Sequence, residues 1–167
     1  GVERPRVGLL NIGTEDSKGD RLRHEAFDLL KDTKEINFIG NVETRDVPYG
    51  CCDVLVADGF TGNIILKLYE GVAGAMMANI KNIFKKSSIT MLAAMMVKGG
   101  LLGLKMRMDY SEFGGAPLLG VNGVVIKAHG SSDAKAIRNA IRQAKTCAEK
   151  NIVGTIAQSV KEAADAE

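Results

Sequence analysis

Apolar runs and helical periodicity divide the chain into alternating strands and helices. Val7-Gly8-Leu9-Leu10-Asn11-Ile12 is a short aliphatic run and predicts a strand. The glycine-bounded loop Gly13-Thr14-Glu15-Asp16-Ser17-Lys18-Gly19 follows, and then a helix of about ten residues near Arg21–Leu30. Asp32-Thr33-Lys34 reads as a turn, Asn37–Ile39 as a second strand, and Gly40-Asn41-Val42-Glu43 as the exit from it. Thr44 to Pro48 predicts a loop or a short turn of helix, because Pro48 ends any regular run. Glu43, Arg45 and Asp46 fit a solvated loop with a local ion pair better than a ligand contact. Asp53-Val54-Leu55-Val56-Ala57 predicts a third strand. Asp58-Gly59-Phe60-Thr61-Gly62-Asn63 then opens a long helix, which Thr61 can cap and whose apolar stripe is Ile65, Leu68, Val72, Met76 and Ile83.

The second half repeats the theme. Val124-Val125-Ile126, bounded by glycine, predicts a central strand; Lys127, Ala128, His129 and Gly130 lead out of it. Ser131, Ser132 and Asp133 all suit a helix N-cap, and from Ala134 the helical period places Ile137, Ile141, Ala144 and Ala148 on one face. Pro117-Leu118-Leu119 and the Asn122-Gly123 turn predict a hairpin, so the sheet can be mixed. Asn151 to Glu167 is helical in character. Three strand, glycine loop, helix junctions imply an α/β fold: a doubly wound, mostly parallel or mixed sheet with flanking helices. In such sheets the loops at the strand carboxyl ends collect on one edge, where ligands bind. A glycine turn at a helix start offers backbone N–H groups and a positive dipole end, a ready anion site. The plainer reading of each junction is an ordinary turn with a capping side chain.

Gly71 to Met108 departs from this pattern. It holds no Asp or Glu, six cations (Lys81, Lys85, Lys86, Lys98, Lys105 and Arg107) and all seven methionines. The segment is therefore +6, and the remainder, 2 − 6, is −4. Ile89 to Val97 is apolar on every side, Gly99-Gly100 breaks it, and Leu101 to Met108 resumes it. This reads as a pair of short helices in a protruding arm over 71–110, too short to span a bilayer, which takes ~20 apolar residues. Met95, Met96, Leu101 and Leu102, with Lys98 and Lys105, suit a membrane interface with anionic lipids. A dimer interface with a basic rim fits the same residues, as does docking of an acidic carrier protein.

Composition adds exclusions. The 167 residues can bury one domain's core, and a net charge of +2 implies no polybasic nucleic-acid surface. The adjacent Cys51 and Cys52 with a lone Cys147 point to reduced thiols, packing roles and a cytosolic setting. His24 and His129 are far apart and no Cys-x-x-Cys occurs, so no metal site is expected. The start, GVERPR, lacks the apolar segment of a signal peptide and reads as mid-protein. No Gly-x-Ser-x-Gly nucleophile motif and no complete Gly-x-Gly-x-x-Gly are present, which argues against a serine acyl-enzyme and a dinucleotide dehydrogenase.

The phrases RVGLLNIG, FIGNVE, CDVLVADGFTGNIILK and YSEFGGAPLLGVNGVVIKAHGSS closely resemble the phosphate acyltransferase family of bacterial fatty acid and phospholipid synthesis, and the likeness covers nearly the whole chain. It implies the C-terminal half of a protein about twice as long, related in fold to phosphotransacetylase and isopropylmalate dehydrogenase. It also implies the reaction: inorganic phosphate attacks the thioester of acyl carrier protein, giving acyl phosphate and free carrier protein, with no cofactor. Such a reaction needs a phosphate cradle, donors for the oxyanion and an apolar groove. On this resemblance Lys127, His129 and Asn63 are the catalytic candidates: Lys127 to neutralise phosphate, His129 to donate to the oxyanion or protonate the thiolate, Asn63 as an amide donor. Phosphate or substrate contacts fall to Gly13, Lys18, Asp58, Gly59, Thr61, Gly62, Asn122, Gly130, Ser131 and Ser132. A homodimer at the inner face of the membrane, passing product to a downstream acyltransferase, is also implied. Asp20 and Thr44 depart from the expected pattern, and a carboxylate at 20 would weaken an anion site. The rivals are a short-chain transferase using coenzyme A and phosphate, and a non-catalytic docking module.

Overall fold

The computed structural model describes residues 2–108, 112 and 114–165. Its element order is β1 (Arg6–Asn11), α1 (Arg21–Asp32), β2 (Asn37–Glu43), a 3-10 turn (Val47–Tyr49), β3 (Val54–Val56), α2 (Gly59–Phe84), α3 (Ser88–Met108), β4 (Ala116–Pro117), β5 (Ile126–Lys127), α4 (Ala134–Glu149) and α5 (Ile152–Asp165). The chain divides into two compact units, Gly1–Ala75 and Met76–Glu167.

The first unit is an α/β layer. Its parallel sheet has the order β2-β1-β3, so β1 pairs on both edges. A strand buried this way carries a continuous apolar run. Val7, Leu9 and Leu10 accordingly form the core with Val42 of β2 and Phe27 of α1. Phe27 meets Phe38 edge-to-face at 5.2 Å, which seats α1 on the sheet. Arg6 grips the start of β3: its guanidinium holds both Asp53 oxygens at 3.0 Å, and its backbone N–H donates to the same carboxylate. The pair is solvent-facing, and its worth lies in bidentate geometry. The Arg45–Glu43 ion pair is local and exposed, as the sequence implies.

β2 is longer than the sequence predicts. The strand does not stop at Gly40; the register slips there by one residue, from Val7↔Phe38 to Leu9↔Asn41. Gly40, at φ +90°, takes up the extra residue as a bulge, and pairing resumes beyond it. α2 likewise starts two residues before Thr61, because the Asp58 side chain, not Thr61, accepts the first free N–H groups.

The second unit corrects two expectations. The run Val124–Ile126 is no central strand. Only Ile126–Lys127 is extended, paired antiparallel with Ala116–Pro117 in a separate two-stranded sheet. The predicted hairpin is present, closed by Leu118 N–H donating to Val125 O at 2.8 Å, but among the described residues it joins no larger sheet. Without neighbours on both edges, Val125 stays exposed. α4 turns a different face inward: Ala136, Asn139, Ala140 and Cys147 are buried, whereas Ile137 and Ile141 are exposed. The small side chains are selected by close backbone approach. Gly114, at φ +81°, lies so near α4 that a Cβ there would sit 2.2 Å from Ala140 N. Of the three cap candidates, Asp133 caps α4, accepting from Ala136 N–H at 2.8 Å.

α3 is also corrected. It is one 21-residue helix through Gly99-Gly100, not two short ones. Helical glycine costs about 1 kcal/mol against alanine, which weakens a helix without ending it. Among the described residues its apolar side chains find little cover: Ile89 is 81% and Met96 84% exposed. The stripe of α2 behaves alike, with Leu68, Val72, Met76 and Ile83 exposed. Among the described residues, no helix is long and apolar enough to cross a membrane.

Replacing Gly114 by alanine should destabilise the second unit by more than about 2 kcal/mol, through overpacking and a positive φ. Urea unfolding should show a lower midpoint at unchanged slope.

Candidate functional site

The first unit builds a polar cleft at the carboxyl ends of β1 and β3. β1 ends in Asn11, which is buried and works in both directions. Its Nδ2 donates to Lys18 O at 2.9 Å and its Oδ1 accepts from Ile12 N–H at 2.8 Å. Asn41, buried on β2, donates to Glu15 O at 2.9 Å. Two interior amides thus hold the β1–α1 loop by its carbonyls. Gly19, at φ +101°, completes the turn; a Cβ there would strike Arg23 and Asn11. Gly13 lies beneath the side chains of Glu15 and Lys18.

Arg23 is the centre of the cleft. It lies in the first turn of α1, largely buried, and its guanidinium reaches three groups. Nη1 pairs with Asp20 at 2.9 Å; Nη2 pairs with Asp58 and donates to Thr61 Oγ1 at 2.9 Å. Asp20 is also the N-cap of α1, accepting from Arg23 N–H at 3.0 Å. Asp58 accepts from the Phe60 and Thr61 N–H groups at the start of α2. One guanidinium therefore ties the caps of two helices across two βα loops. A cleft of about 490 Å³ opens beside it, with Asn11, Gly19, Asp20 and Thr61 on its walls.

Electrostatics follow from these bonds. Hydrogen bonds from the Thr61 side chain and backbone, helped by the charge of Arg23, hold the Asp58 carboxyl down at about 2. The Arg23 N–H, and then its charge, lowers Asp20 too. Two carboxylates against one guanidinium leave the trio at −1. An anion at this edge would therefore rely on loop N–H groups, helix dipoles and Lys18.

The second unit carries the other candidates on the loop leaving β5. Lys127 ends the strand opposite Ala116. His129 Nδ1 lies 2.6 Å from Ser131 Oγ and accepts from Ser131 N–H at 3.2 Å. Ser132 N–H donates to His129 O at 3.0 Å, which closes the turn over Gly130. Ser132 Oγ is buried without a hydrogen-bond partner among the described residues. Asn122 lies in the hairpin turn and lines an apolar groove of about 400 Å³ together with Leu118, Val121, Ile156 and Val160.

The structure therefore sorts the predicted residues into two groups. Gly13, Lys18, Asp58, Gly59, Thr61, Gly62 and Asn63 belong to the first unit, with Asn63 exposed on the first turns of α2. Lys127, His129, Gly130, Ser131 and Ser132 share one loop of the second. A third feature is the arm. The end of α2 and α3 enclose an apolar cleft of about 570 Å³, floored by Ile80, Phe84, Met95 and Leu101 and rimmed by Lys81, Lys85 and Lys98. The Lys105 side chain is outside the described residues. No group of three or more His, Cys, Asp or Glu fit to hold a metal occurs among the described residues.

Sequence reasoning missed Arg23 and the paired asparagines Asn11 and Asn41. Arg23 had a legible signal, since it stands three residues after a capping Asp at a helix start. Asp20, an apparent departure from an anion site, is explained by that cap.

A parallel sheet with polar loops and helix starts at its strand carboxyl ends defines an open α/β domain. The chain belongs to the fatty acid synthesis protein family, whose model matches residues 1–155. It is 53% identical over 161 residues, 96% of the chain, to a phosphate acyltransferase of Lysinibacillus sphaericus. It is 51% identical over 159 residues, 95% of the chain, to one of Clostridium perfringens strain SM101, and 49% over 164 residues, 98% of the chain, to one of Thermoanaerobacter pseudethanolicus. The matches cover 48%, 47% and 49% of those proteins, so the chain spans about half the length of the curated relatives it matches.

A carboxyl held at about 2 in the fold, against ~3.9 in an unfolded chain, stabilises the fold above the unfolded value. That contribution is lost as pH falls from about 4 towards 2. Asp58→Asn should therefore flatten the fall of the unfolding midpoint in this acid window, which urea titrations at stepped pH would read.

Proposed function

We propose that this chain is part of an acyltransferase of phospholipid synthesis that converts acyl-[acyl carrier protein] and inorganic phosphate to acyl phosphate and free carrier protein. The observation that carries the proposal is the family match together with relatives named phosphate acyltransferase along nearly the whole chain. The chemistry of the loops supports it. Phosphate addition to a thioester needs an anion cradle and an oxyanion donor, and a thiolate leaves without strong acid assistance.

In this reading the loop Gly13–Lys18 and the α2 start around Gly59, Thr61 and Gly62 cradle phosphate. Asp58 shapes that loop through Arg23. Within the first unit Asn63 offers an amide N–H group; within the second, Lys127 supplies a cation, Asn122 an amide N–H group, and His129 serves a reacting carbonyl. Gly130, Ser131 and Ser132 form the loop that carries it. No cofactor is invoked.

The arm over 71–110 serves the partners. Exposed Met95, Met96 and Leu102, with Leu101 in the cleft and Lys98 on its rim, suit a peripheral seat on an anionic inner leaflet. The same surface would serve a homodimer, and its cations would attract acidic carrier protein. Product would pass to a downstream acyltransferase at the membrane. The exposed α3 also favours a second reading, a docking module without turnover.

Acyl phosphate formation from palmitoyl carrier protein and phosphate should appear when the chain is carried to the full length of its relatives. Silence in that protein, with folding confirmed, would leave the docking module. Acetyl or butyryl coenzyme A used in preference to carrier protein would favour a short-chain transferase. Met96→Glu with Leu101→Glu should abolish flotation with anionic liposomes; unchanged flotation would remove the membrane role of α3.

A further inference from the structure

We infer that Ser131 locks the neutral His129 ring with its proton on Nε2, so that His129 acts in acyl transfer as a fixed hydrogen-bond donor and not as a proton carrier. The part concerning acyl transfer rests on the function proposed above.

Ser131 N–H points at His129 Nδ1 at 3.2 Å. A backbone amide can only donate, so Nδ1 must present its lone pair. The Ser131 hydroxyl lies 2.6 Å from the same nitrogen and, facing a lone pair, is also a donor there. Amide and hydroxyl of one residue therefore converge on Nδ1. A neutral imidazole has one proton, and the nitrogen that accepts fixes it on the other. The turn that brings Ser131 round is closed independently by Ser132 N–H on His129 O at 3.0 Å, so the ring and its lock share one backbone unit. The helix that follows is capped by Asp133, which accepts from Ala136 N–H at 2.8 Å.

The chemical consequence is specific. When phosphate oxygen bonds to the thioester carbon, the carbonyl π pair moves onto oxygen. An Nε2–H donor stabilises that oxyanion without giving up its proton. As the intermediate collapses, the C–S bond breaks and its electron pair leaves on sulfur as thiolate, which takes a proton later from water. A neutral imidazole that released its proton would become imidazolate, so donation without transfer is the step this tautomer serves. Ser131 is thus a positioning residue, not a phosphate ligand.

In ring-15N histidine spectra of the full-length protein, the signal lost in His129→Gln assigns His129. His129 should show Nδ1 as the unprotonated nitrogen and Nε2 as the protonated one. Ser131→Ala should blur this into a tautomer mixture and lower kcat roughly three- to tenfold with KM little changed, the scale of one hydrogen bond. Ser131→Thr should restore both. His129→Gln, whose amide N–H can replace the donor, should exceed His129→Ala in kcat by about tenfold or more, part of the 10²–10³ typical of an oxyanion donor. A proton found on Nδ1, or a Ser131→Ala spectrum identical to the parent, overturns the lock. A Gln variant as inactive as Ala overturns the donor role. Full activity of His129→Ala removes His129 from the reaction while the spectrum still reports the lock, so the two failures are distinguishable.

Discussion

The first unit depends on a strand that pairs on both edges. β1 takes β2 on one side and β3 on the other, all parallel, and its buried Val7, Leu9 and Leu10 supply much of that unit's core. Parallel pairing forces each strand to end on the same edge. The β1–α1 and β3–α2 loops therefore emerge side by side, close enough for one arginine of α1 to reach Asp58 and Thr61 of the other loop. Arg6, at the far end of β1, holds β3 in that alignment through Asp53. Remove the pairing and each helix would keep its own cap, but Arg23 would lose Asp58 and Thr61. The cleft is thus a consequence of strand direction first and of side-chain chemistry second.

Much of this was legible in the sequence because periodicity and capping act locally. VGLLNI, the Asp53–Ala57 run and the helix from Ala134 needed no distant information. What failed was non-local. The inward face of α4 was not legible: Ile137 and Ile141 are its most apolar residues, yet a backbone lying against the helix at Gly114 admits only small side chains. Val124–Ile126 has the composition of a central strand, but among the described residues only its last member is in a strand, and that strand pairs on one edge. Gly99-Gly100 looked like a break, but two helical glycines cost too little to end a 21-residue helix.

The candidate residues were legible as types and not as roles. A glycine loop before a helix announces an anion site whether or not one is present, and Ser131 and Ser132 are alike on paper. The structure separates them: Ser131 turns back to an imidazole, while the Ser132 Oγ atom is buried. Arg23 was overlooked because charged residues at helix starts are common. Its significance depends on Asp58, 35 positions away.

The bulge at Gly40 reaches further than its size implies. One additional residue in β2 changes the phase of everything after it, because successive side chains in a strand alternate between faces. Asn41 lands where it can hold the carbonyl of Glu15, a loop residue 26 positions earlier. The shape of that loop is thus written partly in a strand, as a count and not as a residue type. Loss of a single codon between Phe38 and Asn41 would leave every loop residue unchanged and still release the loop. In the descent of such a chain, substitutions around Gly40 would be forgiven more readily than deletions.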